Sequence, residues 1–374
     1  MCAAWTGART PQRASTSSAQ ADVPSLYKSL QEYFPIGAAI VQEDITGPHS
    51  ELLLKHFNSI VMENAMKMGP LQPKEGQFDF ATADALVGFA RVHHMLVRGH
   101  TLVWYKQNPD WLFKDASGKD LQPGPESKAI VLGRLQAHIR AVVSRYKDDV
   151  YAWDVVNEVI DPTQADGFRR TKWYELTGTD YIDTAFRTAH AIAPHAKLNI
   201  NDYNTTDPVK RRFLLNLVSA LKARGVPIDG VGHQMHSNID APSLASIVET
   251  INMFASLGVD NQITELDVSV YDSPRESCSS IPEDVLAEQG YRYRDLFDTF
   301  RSLQGRISAV TFWGMADDHT WLTKLPRKRL DLPLLFDTNL QPKPAFWGII
   351  DPRRLPRRPA AEELRDFQGC SASQ

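Results

Sequence analysis

The chain has 374 residues, of which 43% are hydrophobic and 23% are charged, so it is long enough to bury a large globular core. Its formal net charge of -4 and its isoelectric point near 6.3 argue against a nucleic acid or an anionic membrane as a partner, because both usually require a basic face. A neutral ligand fits this charge better, and the 8 Trp, 11 Tyr and 16 Phe residues supply flat apolar faces on which such a ligand can stack.

The cysteines and the first residues give weaker indications. Cys2, Cys278 and Cys370 are odd in number and widely spaced, so they predict neither a disulfide framework nor a zinc site, and we expect packing to stabilise the fold. No apolar run of about 18 residues predicts a membrane-spanning helix. Residues 1–23 are rich in Ala, Ser and Thr and are interpreted as a flexible leader or the remnant of a processed N-terminus, in which Cys2 hints at a lipid anchor.

Eight short apolar stretches alternate with amphipathic ones from residue 34 to residue 317. In chain order they read "FPIGAAI", "FNSIVMEN", "HMLVRGHTLVW", "VYAWDVVNE", "AKLNINDYN", "IDGVGHQMH", "NQITELDVSV" and "ISAVTFWGMAD". Buried parallel strands are nearly continuous hydrophobic runs, and most of these stretches have that character. The sequence therefore predicts eight parallel strands.

Helix patterns lie between the strands, with apolar residues three and four positions apart and charges on the opposite face. Two such runs are Leu132, Leu135, Ile139, Val142, Val143 and Tyr146, and then Phe213, Leu214, Leu217 and Leu221. Gly225 and Gly258 indicate helix ends. Because strands and helices alternate within one domain over residues 24–352, we predict an α/β fold of the (β/α)₈ TIM-barrel type, with an open doubly wound sheet as the alternative. No G-x-G-x-x-G or P-loop motif follows a strand, and residues 353–374 are interpreted as a polar, Pro- and Arg-rich tail that is peripheral or disordered.

The predicted strands end in polar and aromatic side chains rather than in simple turn residues. In a (β/α)₈ barrel the active site lies at the carboxyl ends of the strands, so these endings are candidate site residues. They are Glu63, Asn64, His100, Trp104, Asn157, Glu158, Asn201, Tyr203, Asn204, Gln234, His236, Glu265, Asp267 and Trp313.

Two carboxylates stand out among these endings. Glu158 and Glu265 end the fourth and seventh predicted strands, on opposite sides of the barrel mouth. Cleavage of a glycosidic bond requires such a pair, because one carboxyl group protonates the leaving oxygen while the other, ionised, attacks the anomeric carbon. At the separation of about 5 to 5.5 Å that retaining enzymes use, the charge on one carboxylate raises the pKa of the other. We also expect Asp267 to orient His236, and His236 to orient Glu265.

Seven linked motifs resemble the family 10 glycoside hydrolases, the endo-β-1,4-xylanases with a (β/α)₈ barrel. They are "FNSIVMENAMK", "RGHTLVW", "WDVVNE", "NDYN", "GVGHQMH", "TELDV" and "TFWGMAD", followed by the closing "LLFDTNLQPKPAFWGI". The resemblance covers about residues 30 to 350. It implies that Glu158 is the acid/base and Glu265 the nucleophile of a double displacement that retains anomeric configuration.

The resemblance also implies roles for the neighbouring residues, and Asn157 is suited to hydrogen-bond the 2-hydroxyl of the attacked sugar. Glu63, Asn64 and Lys67 would hold the sugar on the non-reducing side, and Tyr203 and Asn204 would lie on the leaving-group side. The cleavage subsite would be lined by His100, Trp104, Gln107, Gln234, Trp313 and Trp321, of which the last two would crowd the place of a glucose hydroxymethyl group and so favour xylose.

The chain departs from the family pattern at two positions near the site. Tyr105 follows "LVW" where the family usually has His, and Met68 stands where it often has Trp. These changes are expected to alter subsite shape without removing a catalytic carboxylate. The stretch "LPRKRLDLPLLF" and the loop "YDSPRESCSSIPED" could reshape the leaving-group side.

Other functions compete with that of a xylanase. A β-1,4-glucanase or another retaining barrel glycosidase would use the same two carboxylates, and a non-catalytic carbohydrate-binding protein would be expected to lack one of them. A metal hydrolase would need a His/Asp cluster, whereas the two-Glu chemistry needs neither a metal nor a cofactor. The expected partner is xylan or a xylo-oligosaccharide, bound by a monomer that is secreted or resides in the periplasm or cell envelope.

Overall fold

A computed structural model describes residues 23–273, 276–325 and 328–360, together with residue 364. All of the predicted leader except Val23, the possible anchor at Cys2 and most of the predicted tail lie outside these residues. Within them, no helix is long and apolar enough to span a membrane.

Eight parallel strands close into a barrel, as the sequence predicts. Strands β1 to β5 each pair with the next in sequence, β8 pairs with β6 and β9, and β9 pairs with β1, so that the ring closes. The strands are β1 (Ile36–Ile40), β2 (Ser59–Met62), β3 (Leu96–Val103), β4 (Val150–Asn157), β5 (Lys197–Asp202), β6 (Gly230–His233), β7 (His236–Asn238), β8 (Asp260–Ser269) and β9 (Ile307–Phe312).

Two details at the carboxyl ends differ from the prediction. His236 does not end the sixth strand: it begins the short extra strand β7, which pairs with β8 so that His236 lies opposite Asp267. Glu265 lies inside β8 rather than at its end, because the pairing with β7 prolongs β8 beyond the barrel. Both carboxyl-end positions are therefore held by backbone hydrogen bonds and not by loops.

Helices cover the outside of the barrel. The periodic runs at Leu132–Tyr146 and Phe213–Leu221 fall within α5 and α8, and Gly225 and Gly258 follow helix ends at φ angles of 63° and 67°. The helices are α1 (Leu26–Ser29), α2 (Gly47–His56), α3 (Met68–Leu71), α4 (Ala81–Val92), α5 (Pro125–Tyr146), α6 (Lys172–Thr177), α7 (Asp180–Ile192), α8 (Pro208–Ala223), α9 (Leu244–Ser256), α10 (Glu283–Ser302) and α11 (Pro344–Ile350), and 3₁₀ turns occur at Gln42–Ile45, Asp110–Phe113, Trp321–Thr323 and Pro352–Arg354.

The division into leader, barrel and tail stays a prediction. Val23, at the end of the predicted leader, is already buried, and Arg358 of the predicted tail forms an ion pair with Glu288 on α10. The expectation that packing alone stabilises the fold is wrong in one respect, because Cys278 is disulfide-bonded. The other two cysteines lie outside the described residues.

The layer between the strands and the helices leaves no room for a side chain at Gly99 on β3, which faces this layer because Gly99 lies between the inward-pointing Arg98 and His100. Gly99 lies opposite Trp153 of β4, and a Cβ atom placed on Gly99 would lie 2.2 Å from the six-membered ring of that indole. Trp153 is fully buried at 0% exposure, so the ring has no space into which it can retreat. The packing of the Trp153 indole over β3 therefore requires glycine at this position.

We predict that Gly99→Ala lowers the free energy of unfolding by about 1–3 kcal/mol, because the added methyl group overpacks a rigid core. Thermal and urea unfolding of the purified variant measure this. Gly133→Ala is the matched control, since Gly133 lies within α5 and a Cβ atom placed on it would meet nothing within 4 Å outside its own helix backbone. It should be neutral or stabilise the protein by up to about 1 kcal/mol. Equal stability of the two variants would contradict the packing argument.

Candidate active site

Glu265 is a buried carboxylate held by donors on both of its oxygens. Its side chain projects from β8, and the residue is only 5% exposed. The Asn201 amide donates to one oxygen at 2.6 Å, and His236 Nε2 lies 3.2 Å from the other. Burial by itself raises the pKa of Glu265, but the hydrogen bond from His236 and the electrostatic influence of His100 and His236 outweigh it. The pKa of Glu265 therefore lies below its usual value, and the group is ionised when a substrate arrives.

His236 is a cation between two carboxylates, in the arrangement that the sequence predicts. Its Nδ1 lies 2.9 Å from the buried carboxylate of Asp267, while its Nε2 faces Glu265. Burial lowers the pKa of His236, but the charge and hydrogen bond of Asp267 and those of Glu265 raise it to about 10. The Trp321 indole N–H donates to the same Asp267 oxygen at 2.8 Å and so fixes the carboxylate in turn. The orientation of the His236 imidazole is thus fixed by Asp267, which is itself held by Trp321.

Glu158 follows β4 in an uncommon backbone conformation, with a φ of 57°. For a residue other than glycine the left-handed region is sparsely populated, and such strain costs about 1–3 kcal/mol. The side chain is half-buried, and its Oε1 accepts hydrogen bonds from Gln234 at 3.2 Å and from Asn157 at 3.3 Å. The carboxyl group is therefore aimed by the backbone and by two neighbouring amides while part of it stays open to the cleft.

Asn201 joins the two carboxyl groups. Its amide nitrogen donates to Glu265 and, at 2.9 Å, to Asn157 Oδ1, while its oxygen accepts from the Thr264 hydroxyl at 2.6 Å. Because the carboxylate requires a donor here, the Asn201 amide has one orientation, and Asn157 must then present its oxygen to Asn201 and its nitrogen to Glu158. The sequence places Asn201 at a strand end but does not predict this bridging role.

A buried ion pair lies beneath His100 and was not predicted. Arg98 pairs with Asp154, whose carboxylate also lies 2.9 Å from His100 Nδ1. Burial raises the pKa of Asp154, but the charge of Arg98 and the hydrogen bond from His100 have the larger combined effect and bring it below its usual value. Asp154 is therefore ionised. Trp313 packs edge-on against His100, with ring centroids 5.3 Å apart, and forms the opposite wall. His100, predicted for the floor of the cleavage subsite, thus lies between Asp154 and the ring of Trp313, which was predicted for its wall.

The predicted cluster on the non-reducing side is also assembled. Asn64 Oδ1 accepts from Lys67 Nζ at 3.1 Å and from Gln107 Nε2 at 3.0 Å, and Lys67 Nζ lies 4.6 Å from the centre of the Trp104 ring. Burial lowers the pKa of Lys67, and the nearby Glu265, Glu63 and Glu158 carboxylates offset part of that effect.

His319 is a further member of this cluster that the sequence does not predict. Its Nε2 lies 2.8 Å from Glu63, and this hydrogen bond raises the pKa of His319 above its usual value. Burial raises the pKa of Glu63, but His319 and Lys67 lower it to below the usual value. The motif "TFWGMAD" ends two residues before His319, so only proximity in the fold reveals the contact.

A cleft of about 850 Å³ opens beside the residues predicted for the leaving-group side. The half-buried Tyr203 and the exposed Asn204 line it, and Asn204 follows the strand end with a φ of 49°. Arg169, which was not predicted, donates to the Tyr203 hydroxyl at 2.7 Å. His236, Asp267 and Trp321 line the inner end of the same cleft, which connects it to the buried carboxylate.

The geometry therefore unites an ionised, buried carboxylate with a half-buried carboxyl group through shared amides, in a cleft with aromatic walls. Every predicted site residue lies in this region or in direct contact with it. Among the described residues, no group of three or more His, Cys, Asp or Glu side chains has the geometry to hold a metal ion. The arrangement suits two-carboxylate cleavage of a glycosidic bond.

Comparisons with known proteins agree with this geometry. Residues 25–352 match the model of glycosyl hydrolase family 10. The chain is 50% identical over 343 residues to a thermostable celloxylanase of Thermoclostridium stercorarium, covering 89% of each chain, and 48% identical over 345 residues to endo-1,4-beta-xylanase A of Halalkalibacterium halodurans, covering 88% of this chain and 87% of that protein. The crystal structure of xylanase B from Clostridium stercorarium F9 superposes with a TM-score of 0.86 at 50% identity, over 88% of this chain and 100% of that one. The chain belongs to glycosyl hydrolase family 10.

Proposed function

We propose that this protein is a retaining endo-β-1,4-xylanase in which Glu265 is the nucleophile and Glu158 the acid/base. The observation that carries the proposal is the contrast between the two carboxyl groups. Glu265 is buried and kept ionised by His236, whereas Glu158 is half-buried, bears only neutral amide donors and faces the cleft. Family membership and the names of the relatives support xylan as the substrate.

The first step forms an ester between the sugar and Glu265. The carboxylate attacks the anomeric carbon as the glycosidic bond breaks, and Glu158 gives its proton to the departing oxygen. Asn157 is available to bind the 2-hydroxyl of the attacked sugar, because Asn201 fixes its amide beside Glu158. The hydrogen bonds from Asn201 and His236 keep Glu265 oriented for the attack.

The second step reverses the roles. Esterification removes the negative charge of Glu265, and Glu158, now without its proton, takes one from a water molecule that attacks the anomeric carbon. The ester bond breaks, Glu265 leaves as a carboxylate, and Glu158 is protonated again. Two inversions give a product with the configuration of the substrate.

We propose that the aromatic wall formed by Trp313 and Trp321 selects xylose over glucose. Trp313 and Trp321 both face His236, with ring centroids at 6.4 and 4.9 Å, and Asp267 holds the Trp321 indole. Fixed rings at this place leave little space for a hydroxymethyl group, which glucose has and xylose lacks. Because xylan is a polymer that cannot cross a membrane, we also propose that the enzyme acts outside the cytoplasm. A separate proposal is that it acts as a monomer.

The two carboxylates should respond differently to removal. Glu265→Ala is expected to abolish xylan hydrolysis, and azide should restore turnover of aryl xylobiosides with a product of inverted configuration. Glu158→Ala should still form glycosyl-enzyme from substrates with good leaving groups, and azide should then give a product of retained configuration. Mass spectrometry and NMR of the initial anomer measure this; unchanged xylan hydrolysis in either variant would refute the assignment.

Removing His236 should shift the acid side of the pH profile. Because His236 lowers the pKa of Glu265, His236→Gln should raise that pKa, so that kcat/KM begins to fall at a higher pH on acidification. The alkaline side should change less. His190→Gln on α7 is the control, since His190 lies outside the site. An unmoved acid side with normal folding would show that His236 does not keep Glu265 ionised.

The competing substrate is cellulose, because one relative is named a celloxylanase. We expect kcat/KM for xylan to exceed that for carboxymethylcellulose, and we expect Trp321→Ala to narrow the difference by admitting a hydroxymethyl group. Reducing-end assays on both polymers measure the ratio. A wild-type preference for cellulose would overturn the substrate proposal while leaving the mechanism intact.

A further inference from the structure

Arg169 lies outside every sequence motif but contacts the backbone at Glu158 and at the two residues that follow it. It follows a loop that leaves β4 and returns, and its own N–H donates to Val159 at 2.8 Å. Its Nε donates to the carbonyl of Glu158 at 2.7 Å, and its Nη2 donates to the carbonyl of Ile160 at 3.1 Å and to the Tyr203 hydroxyl at 2.7 Å. One guanidinium group thus links the Glu158 backbone to the leaving-group side of the cleft.

These bonds act on a residue whose backbone is strained. Glu158 has a φ of 57°, a region that a glutamate rarely occupies by preference. Its N–H donates to the carbonyl of Asn201 at 2.8 Å, and its carbonyl accepts from Arg169. The peptide groups before and after Glu158 are therefore both fixed, and the direction of its side chain follows from them.

Tyr105, one of the two departures from the family pattern, belongs to this arrangement. The guanidinium carbon lies 4.8 Å from the centre of the Tyr105 ring and 5.6 Å from that of Tyr203. Within residues 23–273, 276–325 and 328–360, no carboxylate forms an ion pair with Arg169 at 4.0 Å or less. Aromatic faces and carbonyl oxygens hold its charge instead, and a phenol suits this contact better than an imidazole that could itself become a cation.

We propose that Arg169, held by Tyr105, is a positioning residue that fixes the proton-donating carboxyl group of Glu158 relative to a leaving group bound at Tyr203. The inference rests on the proposed role of Glu158 as the acid/base. Arg169 touches no reacting atom. Its guanidinium group binds the backbone carbonyl of Glu158, which orients the proton donor, and also the hydroxyl of Tyr203, beside which the departing sugar lies.

The test compares leaving groups that differ in their need for a proton. Arg169→Met keeps the length of the stem but removes the charge and the donors. We expect kcat/KM to fall on the order of 100-fold for phenyl β-xylobioside, whose departure requires protonation, and little for 2,4-dinitrophenyl β-xylobioside, whose departure does not. Arg169→Lys, which restores a cation and a donor, should recover part of the loss.

The neighbouring arginine supplies the matched control. Arg170 is exposed, pairs with Asp166 at 2.9 Å and stacks on Tyr174, all away from Glu158. Arg170→Met should leave both substrates unaffected. If Arg169→Met does not fold, Tyr105→His tests the same contact and should show a smaller loss with the same selectivity. Equal losses on both substrates, or no loss, in a folded Arg169 or Tyr105 variant would overturn the inference.

Parallel measurements separate this inference from the proposed function. If Glu158→Ala shows the leaving-group selectivity and folded Arg169→Met does not, Glu158 is the acid/base and only the role of Arg169 is wrong. If Glu158→Ala itself shows no selectivity, the proposed function fails and the inference falls with it.

Discussion

The site depends on one electrostatic constraint: a carboxylate must stay ionised although it is buried. Removal from water favours the neutral acid, and Glu265 would gain a proton and lose its nucleophilic character if burial were the only influence. His236 reverses this outcome because it remains a cation, and it remains a cation because Asp267 lies on its other side. The extra strand β7 places His236 opposite Asp267, so a local backbone pairing secures the charge state of the site.

A similar principle governs the layer below. Arg98 and Asp154 form an ion pair in the barrel interior, where two separated charges would be costly. The Asp154 carboxylate also forms a hydrogen bond with His100. The pair gives the floor of the site a fixed charge pattern before any substrate binds. On the opposite face of the same two strands, Gly99 makes room for the indole of Trp153, so the strands that carry the charged floor are also tightly packed on their outer side.

The two carboxyl groups are held by different means, which suits their different tasks. Glu265 lies within a strand, is nearly inaccessible and receives charged and neutral donors, so its position and charge change little during a cycle. Glu158 lies just beyond a strand, in a strained conformation, and its carboxyl group accepts hydrogen bonds from neutral amides. A group that must give up and recover a proton benefits from access to the cleft. The hydrogen bonds from the Glu158 backbone to Asn201 and Arg169 supply the orientation that burial would otherwise provide.

The sequence by itself determined the eight strands, the surrounding helices, the barrel and the chain positions of the candidate residues, because hydrophobic period and strand endings are local properties. It did not determine the bridging of Asn201, the pairing of His319 with Glu63, the ion pair under His100 or the return of Arg169 to Glu158, since each joins residues whose contact depends on closure of the barrel or on the path of a loop. It also placed Glu265 and His236 at strand ends, because β7 is too short to be recognised from periodicity. Only the tertiary structure decided the charge of Glu265 and of His236, since a pKa depends on burial and on neighbouring charges that no linear pattern contains.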